Sequence, residues 1–443
     1  MPSGESAADT IAAIATPPGR GGIGIVRVSG PKAPAIAAAV VGRVPPARLA
    51  HFAPFLDVRG ERVDEGIALY FPAPRSYTGE EVLELHGHGG PVVMQALLAA
   101  VLDAGARLAN PGEYTRRAFL NGRLDLAQAE AVADLIDAAS GEAARAALRS
   151  LSGEFSRAID SLVAGLTELR ALTEAMLDFP DEEVDTLHRA DARSRLEALQ
   201  AALGDVIARS RQGSLLRNGI HVVLAGRPNV GKSSLLNRLA GDERAIVSAV
   251  PGTTRDALRE TLHIEGVPLV LVDTAGLRES PDEIERLGME RTRREIRQAD
   301  VVLLVLEAGA RALPPESELP EGTARITIVN KIDLVPQVQP GRDGDVVQVS
   351  AKTGAGLDVL RQVILEAAGW RSSGEATFLA RERHLRALHR AQSQLAAATA
   401  QDIHWEFYAE ELRLAQEALG EITGRVSPDD LLGEIFTRFC IGK

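Results

Sequence analysis

Apolar residues recur at helical spacing through the middle of the chain. Phe155, Ile159, Leu162, Leu166, Leu169, Leu172 and Met176 fall three or four positions apart, which draws one continuous stripe along a helix. Phe179-Pro-Asp-Glu-Glu183 interrupts it, and Leu196, Leu199, Leu203 and Val206 begin a second stripe. The pattern predicts long helices from about 122 to 215, with these leucines as bundle core. Helical spacing returns after 375 at Leu385, Leu388 and Leu395. Ser427-Pro-Asp-Asp430 reads as a helix start, with serine as the cap, proline at the first position and an acid at the third. The helix it opens carries Leu431, Leu432, Ile435, Phe436 and Phe439 on its apolar side.

Shorter apolar runs occupy the rest. Strands are expected at 220–225, 269–272, 301–306, 325–329 and 346–349, alternating with helical stretches, the signature of a doubly wound, mostly parallel α/β sheet. Near the N-terminus, Gly24–Val28, Asp64–Phe71 and Glu81–Leu85 read as strands between Pro- and Gly-rich breaks. Val92, Val93, Ala96, Leu97, Ala100 and Val101 read as a helix, and Arg107–Glu113 as a short strand and turn. The expected organisation is a multidomain chain: an α+β domain over 1–121, a first helical segment over 122–217, an inserted α/β domain over 218–373 and a second helical segment over 374–443. Helices on both sides of the insertion imply one discontinuous bundle; two separate helical modules are the alternative.

Composition narrows this little. The 443 residues suit two to four domains, and 45% hydrophobic with 25% charged residues is ordinary for a globular protein. Aromatics make up only 4%, so Leu, Val, Ile and Ala must build the cores. A net charge of −12 argues against a broad nucleic-acid-binding surface but not against a local basic groove. Cys440 is the only cysteine, which rules out an intrachain disulfide and fits a reducing cytoplasm. The N-terminus has Glu5 and Asp9 and nothing basic before Arg20, unlike a secretory signal. No apolar run is long enough to span a bilayer, so no membrane is expected.

Chemistry enters at Gly226-Arg-Pro-Asn-Val-Gly-Lys-Ser233. An apolar strand precedes this phosphate-binding loop and a helix follows it, the context the motif requires. Gly226 and Gly231 are expected to let the backbone curl around phosphate oxygens, with Lys232 reaching the β- and γ-phosphates and the Ser233 hydroxyl ligating Mg²⁺. Four more motifs follow in order. Gly252-Thr-Thr-Arg-Asp256 offers a threonine hydroxyl to Mg²⁺. Val272-Asp-Thr-Ala-Gly276 ends a strand, where Asp273 can hold Mg²⁺ through water and the Gly276 N–H can bind the γ-phosphate. In Asn330-Lys-Ile-Asp333, the Asp333 carboxylate can accept two hydrogen bonds from guanine's N1–H and amine, a pair adenine does not offer. In Ser350-Ala-Lys352, the Ala351 N–H is expected at guanine O6. Together they define a guanine-nucleotide-binding hydrolase domain with contacts from Asn229, Val230, Gly231, Lys232, Ser233, Ser234, Asp273, Thr274, Ala275, Gly276, Asn330, Lys331, Asp333, Ser350, Ala351 and Lys352. Leu277 stands where small signalling GTPases carry a water-orienting glutamine, so another acid, ion or partner must orient the water; Glu279, Glu283 and Glu285 are at hand.

Two N-terminal stretches are unusual. Thr16-Pro-Pro-Gly-Arg-Gly-Gly-Ile-Gly24 is either a plain loop or one held close to a ligand or subunit. Tyr77–Gly90 ends in His86-Gly-His88-Gly-Gly90; two histidines with no third ligand in view favour a non-metal reading.

Asn-Val-Gly-Lys-Ser, Gly-Thr-Thr-Arg-Asp and Asp-Thr-Ala-Gly-Leu resemble the Era/TrmE-like GTPases. Thr16–Gly24, Tyr77–Gly90, Pro111–Asn121, Leu124–Glu130 and the ending Phe439-Cys-Ile-Gly-Lys443 narrow the likeness to the tRNA-modifying TrmE branch, over essentially the whole chain. The resemblance implies a Ras-like GTPase domain and a folate-binding-like N-terminal domain through which a homodimer forms. It implies a tetrahydrofolate derivative, 5-formyl- or 5,10-methylene-tetrahydrofolate, as one-carbon donor. With the flavoprotein MnmG (GidA), in a heterotetramer, such enzymes install an aminomethyl or carboxymethylaminomethyl group at carbon 5 of the tRNA wobble uridine. Their G domains meet when GTP and K⁺ bind, which activates hydrolysis. By matching position, Asn229, Ser248, Val250 and Thr253 would ligate K⁺, Thr254 would be the Mg²⁺ threonine and Glu285 would orient the water. Arg27, Glu84, Arg123 and Lys443 would contact folate, with Arg123 where relatives carry lysine. Cys440 matches a proposed catalytic cysteine; a small buried apolar residue is the other reading. An Era-type ribosome-assembly GTPase, or RNA-binding switch, is the alternative function, though this acidic chain shows no RNA-binding domain. A dimerising switch without chemistry of its own is a third.

Overall fold

The computed structural model describes residues 9–178, 185–227, 229–241, 260–273, 299–309, 323–371, 377–400, 405–425, 429–437, 439 and 442. Its contacts divide the chain into two compact units.

The first unit comprises Met1–Ala133, Ile159–Thr167 and Arg413–Lys443. It holds β1 (Ile11–Ile14), β2 (Gly24–Ser29), α1 (Ala33–Val41), β3 (His51–Leu56), β4 (Arg62–Phe71), β5 (Val82–Gly87), α2 (Pro91–Asp103), β6 (Arg107–Leu108), α3 (Glu113–Leu120) and most of α4 (Leu126–Ile136). The six strands form one sheet in the order β3-β4-β5-β2-β1-β6, antiparallel except for the β1–β6 pair. Three main strands were expected. β1 and β3 escape because an Ala-rich four-residue run and a run centred on Pro54 carry weak strand signals. The Arg107–Glu113 turn closes sooner than expected, since Glu113 already opens α3.

Alternation explains this sheet. Val26, Val28, Leu83 and Leu85 point to one face, where they pack with Ile36, Leu97 and Val101 of α1 and α2. Their neighbours Arg27 and Glu84 point to the other, where Ile11, Ala13, Ala109 and Tyr114 form a smaller cluster. Behind α3, Leu126 and Ala129 pack with Ile435, Phe436 and Phe439.

The second unit comprises Asp134–Ala158 and Glu168–Leu412. Its helices include α5 (Gly141–Leu151), α6 (Glu154–Asp178, shared with the first unit) and α7 (Asp185–Asn218). A seven-stranded sheet follows: β7 (Ile220–Ala225), β8 (Glu260–Ile264), β9 (Val267–Asp273), β10 (Val301–Glu307), β11 (Ala324–Asn330), β12 (Gly341–Asp343) and β13 (Val346–Gln348), with α8 (Lys232–Gly241) and α9 (Leu357–Ala367). Then come α10 (Glu382–Thr399) and α11 (Trp405–Thr423), the latter running on into the first unit, where α12 (Asp429–Thr437) lies. The strand order is β12-β13-β11-β10-β7-β9-β8. The five expected strands are present and mutually parallel. The sheet is nevertheless mixed, because β8 and β12, missed in the sequence, pair antiparallel to β9 and β13.

Helices before and after the sheet pack together, as a discontinuous bundle requires and two separate modules do not. Gln200 Nε2 donates to Leu395 O at 2.9 Å, and Phe155 lies 5.3 Å from the rings of both Phe378 and His384. Gly213 in α7 is required here, since a Cβ would overlap the Phe378 carbonyl. The stripe beginning at Phe155 is buried as far as Leu169, then Leu172 and Met176 become half-exposed. Ala143, Ala146 and Ala147 of α5 share one apolar cluster with Leu216, Leu379 and the sheet residues Leu262, Ile264 and Val267. Asp134, 6% exposed, pairs with Arg217 at 3.0 Å and Arg381 at 2.8 Å, the residues flanking the chain's entry into and exit from the α/β domain.

Asp134→Ala would remove the buried carboxylate that exposed Arg217 and half-buried Arg381 share. It is expected to destabilise this unit by about 1–2 kcal/mol, less than for a fully buried pair because water reaches the Arg217 guanidinium, read in urea unfolding by tryptophan fluorescence, since Trp370 and Trp405 are the only tryptophans and both lie in it.

Candidate functional site

Parallel pairing brings the carboxyl ends of β7, β9, β10, β11 and β13 to one edge of the sheet. Gly226 follows β7, Asp273 ends β9, Glu307 ends β10, Asn330 ends β11, and Ser350 comes shortly after β13. β7 lies between β9 and β10, so the parallel strands that follow it in sequence fall on opposite sides of it. Open α/β sheets bind ligands at such a reversal.

The loop after β7 curls differently from expectation. Its left-handed residues are Asn229 (φ 65°) and Gly231 (φ 94°), not Gly226. Gly226 is needed instead for close approach, because a Cβ there would meet Val305 O. Lys232 Nζ donates to Gly226 O at 2.7 Å and Arg227 O at 3.2 Å. Lys232 also opens α8, which places exposed Ser233 and Ser234 in a first turn whose N–H groups lack helical partners.

Asn330 ties this loop to the distant motifs. Its side chain, 1% exposed, donates through Nδ2 to Val230 O at 2.9 Å and accepts from the Ala351 N–H at 3.0 Å. Gly231 makes that possible, since a Cβ would overlap Asn330 Nδ2. The Ala351 N–H, expected at guanine O6, is thus engaged by Asn330, and a base oxygen would have to share that donor. Ser350 Oγ donates to Asp333 Oδ1 at 2.6 Å, orienting an exposed carboxylate. Lys331, itself left-handed at φ 63°, donates from Nζ to Asn229 O at 2.8 Å and pairs with Glu307 at 3.1 Å. Sequence reasoning passed over Glu307, whose only signal is its place at the end of an apolar strand. Lys352 is exposed beside Ala351. The Asp273 backbone ends β9 at this edge; Ser248, Val250, Thr253, Thr254, Thr274, Ala275, Gly276 and Glu285 lie outside the described residues.

A second constellation lies on the N-terminal sheet. Arg27 and Glu84 are cross-strand partners, with Arg27 Nε 2.9 Å from Glu84 Oε1 and His86 Nε2 3.2 Å from Glu84 Oε2. The Arg27 guanidinium lies over the rings of Tyr77 (5.7 Å) and Tyr114 (5.8 Å). Burial alone would raise the Glu84 pKa; the His86 hydrogen bond and the Arg27 charge outweigh it and hold the carboxyl below its ordinary value. Both tyrosines were missed, and His86 was weighed only as a metal ligand. Exposed Arg123 sits against Gly79, two residues beyond Tyr77. Gly442 packs against Ile14 and Ala15; Cys440 and Lys443 lie outside the described residues.

The two unusual glycine-rich stretches meet. Gly21 N–H donates to Gly89 O at 3.1 Å, and a Cβ on Gly89 would collide with Gly21 O and Ile23 O. Asp64 fixes the same turn, accepting from the His88 N–H at 2.7 Å and lying 2.8 Å from its Nδ1. Among the described residues, no cluster of three or more His, Cys, Asp or Glu is placed to hold a metal.

A mixed, mostly parallel sheet with a P-loop motif after its first strand, tied through Asn330 to the Ser350–Ala351 turn, defines a P-loop GTPase domain. Family models place it further: residues 10–123 match the N-terminus of the GTP-binding protein TrmE, and residues 126–440 match the MnmE helical domain. The tRNA modification GTPase MnmE of Aromatoleum aromaticum is 58% identical, over 98% of each chain. That of Azoarcus sp. is 59% identical over the same shares. The chain belongs to the MnmE family of tRNA modification GTPases. Among solved structures, the G domain of the T. maritima FeoB iron transporter is 27% identical over 34% of this chain and 98% of that one, with a TM-score of 0.23, a likeness that carries nothing further.

The N-terminal carboxylates yield a pH prediction. For Glu113, burial raises the pKa, but hydrogen bonds from Arg107, the Asn110 N–H and Arg117 lower it further, and the net shift is downward, as it is for Glu84. A folded pKa below the unfolded one gives stability that is complete above the unfolded value, about pH 4, and is lost as pH falls through the folded value. Acidification below pH ~4 is therefore expected to lower the urea midpoint read by tyrosine fluorescence. Glu113→Gln is expected to start lower and to fall less steeply with acid; an unchanged slope would count against the assignment.

Proposed function

We propose that this chain hydrolyses GTP at the carboxyl edge of its G-domain sheet and uses the hydrolysis in modifying tRNA. The observation that carries the reading is the Asn330 strut, which joins the phosphate loop at Val230 to the Ser350–Ala351 turn. The left-handed turn at Asn229–Gly231, followed by the first turn of α8 with its free N–H groups, suits a polyphosphate, and the carboxylate of Asp333 suits the donor edge of guanine.

In the proposed mechanism, backbone N–H groups from Asn229 to Ser234 bind the phosphates, with Lys232 exchanging its loop carbonyls for phosphate oxygens. Asp333, held by Ser350, selects guanine. Ser233 and Thr254 would hold Mg²⁺, and Asn229, Ser248, Val250 and Thr253 would hold K⁺. These cations would supply positive charge to the phosphoryl oxygens as charge develops there. Leu277 cannot orient water, and Glu285 is proposed to do so. G-domain pairing within a homodimer would bring this set together.

The N-terminal constellation is proposed to bind the tetrahydrofolate derivative. Its donor set fits: Glu84 is an ionised acceptor for an amino-pyrimidine edge, Arg27 is braced by two tyrosine rings, and Arg123 is an exposed cation for an anionic tail. Lys443, outside the described residues, is proposed as a second cation. Cys440 is proposed to take part in the uridine chemistry. With the flavoprotein MnmG as partner, the product would be a wobble uridine aminomethylated or carboxymethylaminomethylated at carbon 5. No described helix is long and apolar enough to cross a membrane, and a cytoplasmic location is proposed.

Supplying this chain to a strain that lacks its own enzyme is expected to restore the modified wobble uridine, measured by mass spectrometry of tRNA nucleosides; persistent unmodified uridine would sink the proposal. Asp333→Asn is expected to shift preference from GTP to xanthosine triphosphate, because the amide offers a donor where xanthine has an acceptor. Competition binding with the two nucleotides reads this, and an unaltered preference removes Asp333 from base recognition.

A further inference from the structure

We infer that Glu307 is a positioning residue for the nucleotide site, holding the Lys331 ammonium across the backbone of the phosphate loop. The inference rests on the GTP-binding reading of this edge. Glu307 is the last residue of β10 and lies opposite Asn330 in the β10–β11 register. The next backbone amide, Ala308 N–H, donates to Asn330 O at 2.8 Å, so the segments bearing the two charges are fixed to each other. Glu307 Oε1 lies 3.1 Å from Lys331 Nζ, and that ammonium donates to Asn229 O at 2.8 Å. A carboxylate, an ammonium and a loop carbonyl thus form one chain of contacts ending on the peptide of Asn229.

The geometry is specific. Lys331 is in the left-handed region, as is Asn229 at the other end of its hydrogen bond. A lysine stem has many rotamers and loses that freedom when fixed. An anion held one strand away selects the rotamer that crosses the loop before nucleotide arrives, which lowers the ordering cost of binding. The same contact steadies the Asn229 peptide, whose side chain is the proposed K⁺ ligand.

Charge alone makes the opposite forecast. The nucleotide is a polyanion, and a carboxylate at the same edge repels it. If Glu307 acted only through its charge, Glu307→Gln would tighten binding. If it positions Lys331, Glu307→Gln weakens binding although it removes a negative charge. The sign therefore separates the two.

The experiment uses the full-length protein. Fluorescent GDP is titrated into the wild type, Glu307→Gln, Glu307→Asp and Glu366→Gln, and GTP hydrolysis is followed against K⁺ concentration. Glu366→Gln removes an equally charged carboxylate of the same domain, paired with Arg342 at 2.6 Å away from the loop. Glu307→Gln is expected to weaken GDP about two- to fivefold, the range of a half-exposed pair. It should also raise the K⁺ concentration for half-maximal hydrolysis, with kcat at saturating GTP and K⁺ unchanged. Glu307→Asp is expected to recover part of the loss, and Glu366→Gln to match the wild type. Equal or tighter GDP binding by Glu307→Gln, or the same loss in Glu366→Gln, overturns the inference. GDP binding by the wild type separates this outcome from failure of the GTP-binding reading itself. If wild-type hydrolysis ignores K⁺, the Asn229 assignment fails while the GDP arm still decides the role of Glu307.

Discussion

The nucleotide edge depends on one buried amide. Val230 O can only accept and the Ala351 N–H can only donate, so the Asn330 side chain has one orientation that satisfies both. An aspartate would set an oxygen against a carbonyl. A leucine would orphan a donor and an acceptor, at about 1–3 kcal/mol for each buried group left unpaired. Two stretches that read as separate motifs are thereby one object: the loop after β7 cannot shift without moving the Ser350–Ala351 turn. Gly231 belongs to this object for the space it leaves as much as for its dihedral angles.

The N-terminal sheet works by division of faces. Strict alternation sends Val26, Val28, Leu83 and Leu85 into the helix-covered core and leaves Arg27 and Glu84 side by side on the other face. Burial there would by itself favour a neutral Glu84. Arg27 and His86 reverse that, and the tyrosine rings brace the guanidinium. A carboxylate kept ionised in a half-buried setting is a strong, directed acceptor, which is what a ligand with an amidine-like edge needs.

Much of this was legible in the sequence, for stated physical reasons. The helices at 155–169 and the five parallel strands follow from periodicity, because burial of one face is what selects those residues. The nucleotide motifs follow from chemistry at fixed spacing. What escaped was pairing. β8 and β12 are short edge strands whose identity depends on a neighbour, and β1 is read as a strand only once β2 and β6 lie beside it. Glu307, Tyr77 and Tyr114 are marked in the sequence only by the stretches they sit in, since their partners Lys331 and Arg27 lie far away along the chain. Gly226 was assigned the wrong reason: it accommodates Val305 O, while the turn itself is made by Asn229 and Gly231. The Ala351 donor, expected at guanine O6, also serves Asn330 Oδ1, a contact that sequence spacing does not announce.

Asn229 shows how backbone and side-chain demands combine at one position. Its φ of 65° lies where glycine is at no cost and asparagine at little. A glycine would build the same turn and present the same carbonyl to Lys331. Only asparagine adds an amide oxygen beside the phosphate loop while tolerating that conformation. The proposed K⁺ site would use that oxygen, one hydrogen bond away from the lysine that pairs with Glu307.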